Sequence, residues 1–288
     1  MTSLIRTVWL SFLRGKGLLF LLFSMLLLLL MTTALLGVEG MMTVNGQAAP
    51  ISDALRNDFA LGVGLRWINL FGMLVVLLIG PGLVLGETER GPAVFDLTAP
   101  ISRSTYLLGR SLGLLLILLF YWIASIGVLG GVVAWREGVL HGMLVAGIPI
   151  FLLGQLLLAG ILLLFRVVIG GGWGAVVGVL IWAGSWLLSL DMLEGYLFDV
   201  NVPLEKAAWW MPLFGPYLEG EPVGLGASAA RFVMRFFPPI GNVQSVGLDT
   251  ALGKTVFPPG DWWSVPVAVV WTLLAFSGAA ALFRRKDL

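Results

Sequence analysis

Long charge-free apolar runs alternate along this chain with short polar stretches, and their length is the first thing the pattern fixes. About 20 consecutive apolar residues cross a bilayer as a helix. Six runs meet that measure, at about 18–36, 67–85, 111–135, 142–165, 167–190 and 263–283. The pattern predicts an all-α polytopic membrane protein, a single transmembrane domain of six spans with both termini on one side. The fourth and fifth runs are separated by little more than Arg166, and Gly170, Gly171 and Gly172 are expected to take the turn between them. The first run follows Arg6, Arg14 and Lys16 as a signal peptide would. It is longer than a typical signal core and no small-x-small cleavage site follows it, so it is expected to stay as a span.

Two regions outside the runs have their own patterns. In 1–17, Leu4, Ile5, Val8, Trp9 and Phe12 fall near one helical face and basic residues lie off it. This predicts an amphipathic interfacial helix ahead of the first span. The segment 191–262 holds eight of the fourteen prolines, with Trp209, Trp210 and Trp262, a composition that suits the membrane–water interface. It is expected to pack back onto the ends of the spans, with a short helix at 226–237.

Composition agrees with a bilayer setting: 59% of the 288 residues are hydrophobic and 11% charged, against about a quarter charged in soluble domains. Counting basic residues on alternating sides gives orientation. Ten of the seventeen fall on the side that holds the N-terminus, including Arg284, Arg285 and Lys286, so both termini are expected in the cytoplasm. The near-neutral balance offers no nucleic-acid surface.

The chemistry available is sparse. There is no cysteine and one histidine, His141, so thiolate and multi-imidazole metal sites are excluded. The six apolar cores contain no charged residue, and Gln155 is their most polar long side chain. Ion-coupled transport needs carboxylates or histidines within the bilayer, so secondary transport is disfavoured. Ser185 is the one serine that invites comparison with an intramembrane nucleophile, and no base is in sequence reach of it. Glycine pairs at four-residue spacing (Gly109 with Gly113, Gly127 with Gly131, Gly170 with Gly174, Gly174 with Gly178) are read as close helix packing. No phosphate-cradling Gly-x-x-x-x-Gly-Lys-Ser/Thr occurs, so any ATP must be hydrolysed on another chain.

The segment 86–110, between the second and third runs, is the most informative. It begins Gly86-Glu87-Thr88-Glu89-Arg90-Gly91, continues through Ala93-Val94-Phe95-Asp96-Leu97, and then reads Pro100-Ile101-Ser102-Arg103. Tyr106, Gly109 and Arg110 lead into the third span. A short amphipathic helix here would present Val94, Phe95 and Leu97 to a partner. The plain alternative is a solvated loop in which Glu87 and Arg90 cap a helix start.

The order of these residues resembles the inner loop of the ABC type-2 permeases, the membrane subunits of exporters driven by separate ATPases. In that family an acidic pair is followed by Arg-Gly, a short helix, Pro-x-Ser-Arg and then Gly with a basic residue. Glu87, Glu89, Arg90, Gly91, Pro100, Ser102, Arg103, Gly109 and Arg110 follow that order, with Pro92 and Arg110 where the family often has Thr and Lys. The resemblance also covers the plan of the whole chain. It implies pairing with a second permease subunit, either a second copy or a paralogue. It further implies cytoplasmic ATPase subunits that carry ATP and Mg, and no cofactor on this chain. Glu87, Glu89, Arg90, Phe95, Asp96 and Arg103 are the expected ATPase-coupling residues. The proline and tryptophan content of 191–262 suits equally an outer gate or a docking surface for an extracytoplasmic partner. A weaker resemblance to permeases of copper-enzyme maturation draws attention to Met41 and Met42. The alternative reading is a non-transporting scaffold in a larger membrane assembly.

Overall fold

The computed structural model describes residues 2–14, 16–37, 41–44, 47–50, 53–78, 102–137, 142–169, 171–187, 238–252 and 264–285. These form helices α1 (Thr2–Arg14), α2 (Lys16–Gly37), α3 (Asp53–Leu78), α4 (Arg103–Glu137), α5 (Ile148–Ile169), α6 (Gly171–Leu187), α7 (Ile240–Ala251) and α8 (Ser264–Arg285). A single 3₁₀ turn, Gly142–Val145, precedes α5. Strands β1 (Met41–Val44) and β2 (Gln47–Pro50) make a small antiparallel hairpin between α2 and α3, with Met41 opposite Pro50 and Met42 opposite Ala49. Five helices are long and apolar enough to cross a membrane, within α2, α3, α4, α5 and α8. The protein is therefore helical and carries the signature of a multi-pass membrane protein.

Element boundaries differ from the apolar runs in informative ways. Helix α3, which holds the second apolar run, begins at Asp53 rather than near Trp67. Its first turns are amphipathic: Ala60, Leu61 and Leu65 are buried, while Asp58 and Arg66 are exposed. A search for charge-free runs passes over such turns, and it places Arg56 and Arg66 in a loop that is helix. Similarly, α5 continues through Arg166 to Ile169, and α6 resumes at Gly171. At 17 residues α6 is shorter than the 167–190 run. The expected helix at 226–237 lies outside the described residues, whereas 240–251 is helical.

Hydrocarbon solvates apolar side chains as well as a protein core does, so these helices are held by close packing and interhelical hydrogen bonds. The α5–α6 hairpin is one example. A Cβ at Gly174 would lie 2.7 Å from Arg166 Cα, and one at Gly178 would collide with Leu162. Helices α5 and α8 run parallel, with Gly160 against Ala275 and Phe276, and Gly278 against Leu164. Helix α3 runs antiparallel to α4, since Gly64 faces Leu129 and the Tyr121 hydroxyl donates to Ile68 O at 3.1 Å. Arg136 near the end of α4 donates to Leu36 O at the end of α2, satisfying a terminal carbonyl that the helix itself leaves open. Helices α2 and α8 lie at the rim and turn Leu22, Phe23, Leu26, Leu273 and Leu274 outward.

Candidate functional site

The long helix α4 is the structural continuation of the 86–110 segment. Its 35 residues extend about 52 Å at 1.5 Å per residue, well beyond a hydrocarbon core of about 30 Å. The helix starts where it does because Ser102 caps it. The Ser102 hydroxyl accepts the Thr105 N–H at 3.2 Å and lies 2.7 Å from the Thr105 hydroxyl. Ser102 O takes the Tyr106 N–H at 3.0 Å, the first bond of the helix. Arg103 is the first residue of α4. Glu87, Glu89, Arg90, Phe95 and Asp96 lie outside the described residues.

Two turns into α4, Gly109 and Gly113 form the seat for α1. A Cβ at Gly109 would lie 3.0 Å from Leu4 Cδ1, and one at Gly113 would lie 2.8 Å from Val8 Cβ. Leu4 and Val8 are four apart, as are the glycines, so one ridge of α1 fits one shallow groove of α4. Phe12 continues the ridge over Gly17, and Trp9 meets Phe120 edge-on at 5.6 Å. Leu4, Val8 and Phe12 are buried and Arg6, Leu10, Leu13 and Arg14 are exposed. The amphipathic helix thus spends its apolar ridge on protein, and leaves a mixed basic and apolar face of the kind that suits a headgroup layer. Beside this contact Arg110, 2% exposed, places its guanidinium 4.9 Å from the Tyr106 ring centroid, one turn back.

The second polar constellation lies inside the bundle. Trp122 Nε1 donates to Gln155 Oε1 at 2.9 Å, and the Trp122 ring stacks on Phe151 at 4.5 Å and 15°. Gln155 packs directly over Gly72 of α3, where no side chain could stand. Helix α7 lies on the same face of α5: Gly147 meets Ala251 and Gly247 O, Phe151 meets Gly247, and Gly154 meets Val243 and Gln244. The two helices are therefore antiparallel. Extending the α5–α6 register (Gly174 opposite Arg166, Gly178 opposite Leu162) puts Ser185 level with Gln155, where α7 begins. Helix α7 is thus a half-length element, about 18 Å long, whose N-terminus sits within the bundle.

A helix N-terminus at such depth needs partners for its amides, because no bulk water reaches them. Its own N-cap, Pro239, supplies no side-chain bond. Ser185 does so from α6: its hydroxyl accepts the Gly241 N–H at 3.1 Å and donates to Pro238 O at 2.8 Å. Pro238 O also takes the Ile240 N–H at 2.9 Å. Both capacities of the serine are engaged in holding α7, which is structural work rather than nucleophilic chemistry. In the sequence Gln155 stands out as the most polar long side chain of the apolar cores, and Ser185 only as a candidate nucleophile. The capping role had no local signal, because the partner lies 56 residues away.

Among the described residues no three His, Asp or Glu cluster as ligands. An apolar groove of about 520 Å³ runs between α2 and α4, bordered by Met25, Leu29, Gly127, Gly131 and Trp135, with no titratable group on it among the described residues.

No protein-family model matches the chain. Nor does any curated protein match it in sequence. The functional reading therefore rests on the residues and their geometry.

Proposed function

We propose that this chain is the transmembrane permease subunit of an ATP-driven exporter of the ABC type-2 class in a bacterial or archaeal cytoplasmic membrane. One observation carries the reading: α1 is seated on Gly109 and Gly113 near the start of α4, at the end of the segment that resembles the family's coupling loop. A push on residues 87–102 is delivered to the capped end of α4 and, within two turns, to α1. A rigid 35-residue helix then carries the displacement across the bilayer.

The plan is six crossings with both termini in the cytoplasm. What supports it is the parallel packing of α5 and α8, which requires the chain to return across the bilayer between them. Helix α6 is the element that makes this crossing, with α7 completing the outer half. In this reading Glu87, Glu89, Arg90, Phe95, Asp96 and Arg103 engage a cytoplasmic ATPase that holds ATP and Mg. A second permease subunit completes the path, and an extracytoplasmic partner meets residues of 191–262 other than those of the buried α7.

The test is copurification with the nucleotide-binding partner and its ATP turnover. Reversing Glu89 and Arg90 together (Glu89→Arg with Arg90→Glu) is expected to abolish partner binding while the permease stays folded. Retained binding and turnover overturn the coupling assignment. Absence of any ATPase partner favours the scaffold.

A further inference from the structure

Three carboxamides converge where α3, α5 and α7 meet. Gln155 lies over Gly72, and a Cβ at Gly154 would touch both Met73 Cε and Gln244 Cγ, at 3.7 and 3.9 Å. Asn69 stands one turn before Gly72 and Met73, on the same face of α3. The depths agree as well. Leu252 packs against Gly62, and α7 runs antiparallel to α3; Asn69 is seven residues beyond Gly62, and Gln244 eight before Leu252. Asn69 and Gln244 are each 7% exposed and Gln155 is 0% exposed.

Their hydrogen bonding is incomplete in a complementary way. Asn69 Oδ1, Gln155 Nε2 and Gln244 Nε2 have no hydrogen-bond partner among the described residues. The set is one acceptor and two donors, which matches the proton and two lone pairs of one water molecule. A buried amide without a partner is unfavourable, and more so in a medium of low dielectric. A hydrogen-bonding partner of water's size would meet all three groups at once. The element covering the site, α7, spans only half the bundle, about 18 Å. Its seat on α5 is smoothed by Gly147 and Gly154, and its inner end hangs on the Ser185 hydroxyl.

We propose that α7 is a displaceable plug, and that lifting it admits water to an intramembrane hydrogen-bonding site formed by Asn69, Gln155 and Gln244. The proposal does not depend on the identity of any ATPase partner.

The natural chain has no cysteine, so one introduced cysteine is its only thiol. Asn69→Cys in the site, Val243→Cys on the packed face of α7 and Ile117→Cys in the apolar core of α4 are each reconstituted in lipid nanodiscs. Each is then treated with a charged, water-soluble thiosulfonate. Val243 and Ile117 are both 0% exposed, so static burial does not separate them. Local opening is expected to label positions 69 and 243 about tenfold faster than 117, because it costs less than global unfolding. Gln244→Met, near-isosteric and without an amide to hydrate, is expected to slow labelling at 69 about fivefold, while Ser185→Ala speeds it by a similar factor. Should Asn69→Cys not fold, Val243→Cys carries the same reading. Equal rates at 69, 243 and 117 overturn the proposal, as does a Gln244→Met change that leaves labelling unchanged or faster.

Discussion

The Ser185 hydroxyl on α6 caps α7 at Gly241, accepting its N–H at 3.1 Å while donating to Pro238 O at 2.8 Å. A single side chain thus does from a neighbouring helix what an N-cap residue ordinarily does from within. Ser185→Ala removes both bonds at a buried site and is expected to destabilise the fold by about 1–2 kcal/mol, the range of cap deletions. Thermal unfolding of the purified chain in detergent measures it. An unchanged midpoint would show that α7 is held by its glycine packing alone.

The seat of α1 offers a second test. Gly113→Leu forces four carbon atoms into the space that Val8 fills, and Gly109→Leu does the same against Leu4. Overpacking of this kind costs about 1–3 kcal/mol, and here the relief is to lift α1 from α4. Spin labels at exposed Leu10 and Phe120 are expected to move apart in either variant. In the exporter reading, ATP turnover by the assembled complex also becomes insensitive to this permease. Gly127→Leu, where an added Cβ meets nothing within 4 Å, serves as the control and is expected to change neither readout.

Ser102 links the motif to the helix it begins. Ser102→Ala is expected to lose about 1 kcal/mol of helix stability, and Ser102→Asp to retain it, since both Ser and Asp accept from the N3 amide. Amide hydrogen exchange over 103–108 reads the fraying directly. The exporter reading adds that coupled ATP turnover falls in Ser102→Ala and recovers in Ser102→Asp. Loss in both variants would place the role of Ser102 in recognition rather than in capping.

How much of this was legible in the sequence follows from the physics of each element. Pure apolar runs such as 18–36 and 263–283 announce themselves, because every position faces lipid or an apolar neighbour, and both coincide with membrane-length helices. The start of α3 was hidden because Asp58 and Arg66 break the run while Ala60, Leu61 and Leu65 hold the buried face. Helix α7 was hidden for a different reason. Gly241, Asn242, Gln244, Ser245 and Gly247 give it the hydropathy of a loop, and it is buried in protein rather than in lipid. The glycine pairs at 109/113 and 174/178 were visible as packing signals, but not their partners, since spacing along one helix says nothing about which helix it meets. Of the expected coupling residues only Arg103 falls within a described helix, so the interface itself is read from sequence order alone.

The bond between Trp122 and Gln155 tests how much an interhelical hydrogen bond contributes in this bundle. Gln155 Oε1 takes the indole N–H at 2.9 Å, while Phe151 stacks on the ring from the same helix as Gln155. The two contacts separate cleanly in a double-mutant cycle. Trp122→Phe keeps an aromatic ring for Phe151 but removes the donor, and Gln155→Met keeps the volume over Gly72 but removes the acceptor. Bonds of this kind within membrane bundles average about 0.6 kcal/mol and reach about 1.7, and the burial of both partners places this pair above that average. The cycle, read by thermal or denaturant unfolding, is expected to return a coupling near 1 kcal/mol on that scale. Gln155→Met also removes an unpartnered amide nitrogen, which offsets part of the loss. Its single-variant cost is therefore expected to be smaller than that of Trp122→Phe. The reverse order would mean that the Gln155 amide already finds a partner in the folded bundle, and that the junction with Asn69 and Gln244 carries no unmet hydrogen-bonding capacity.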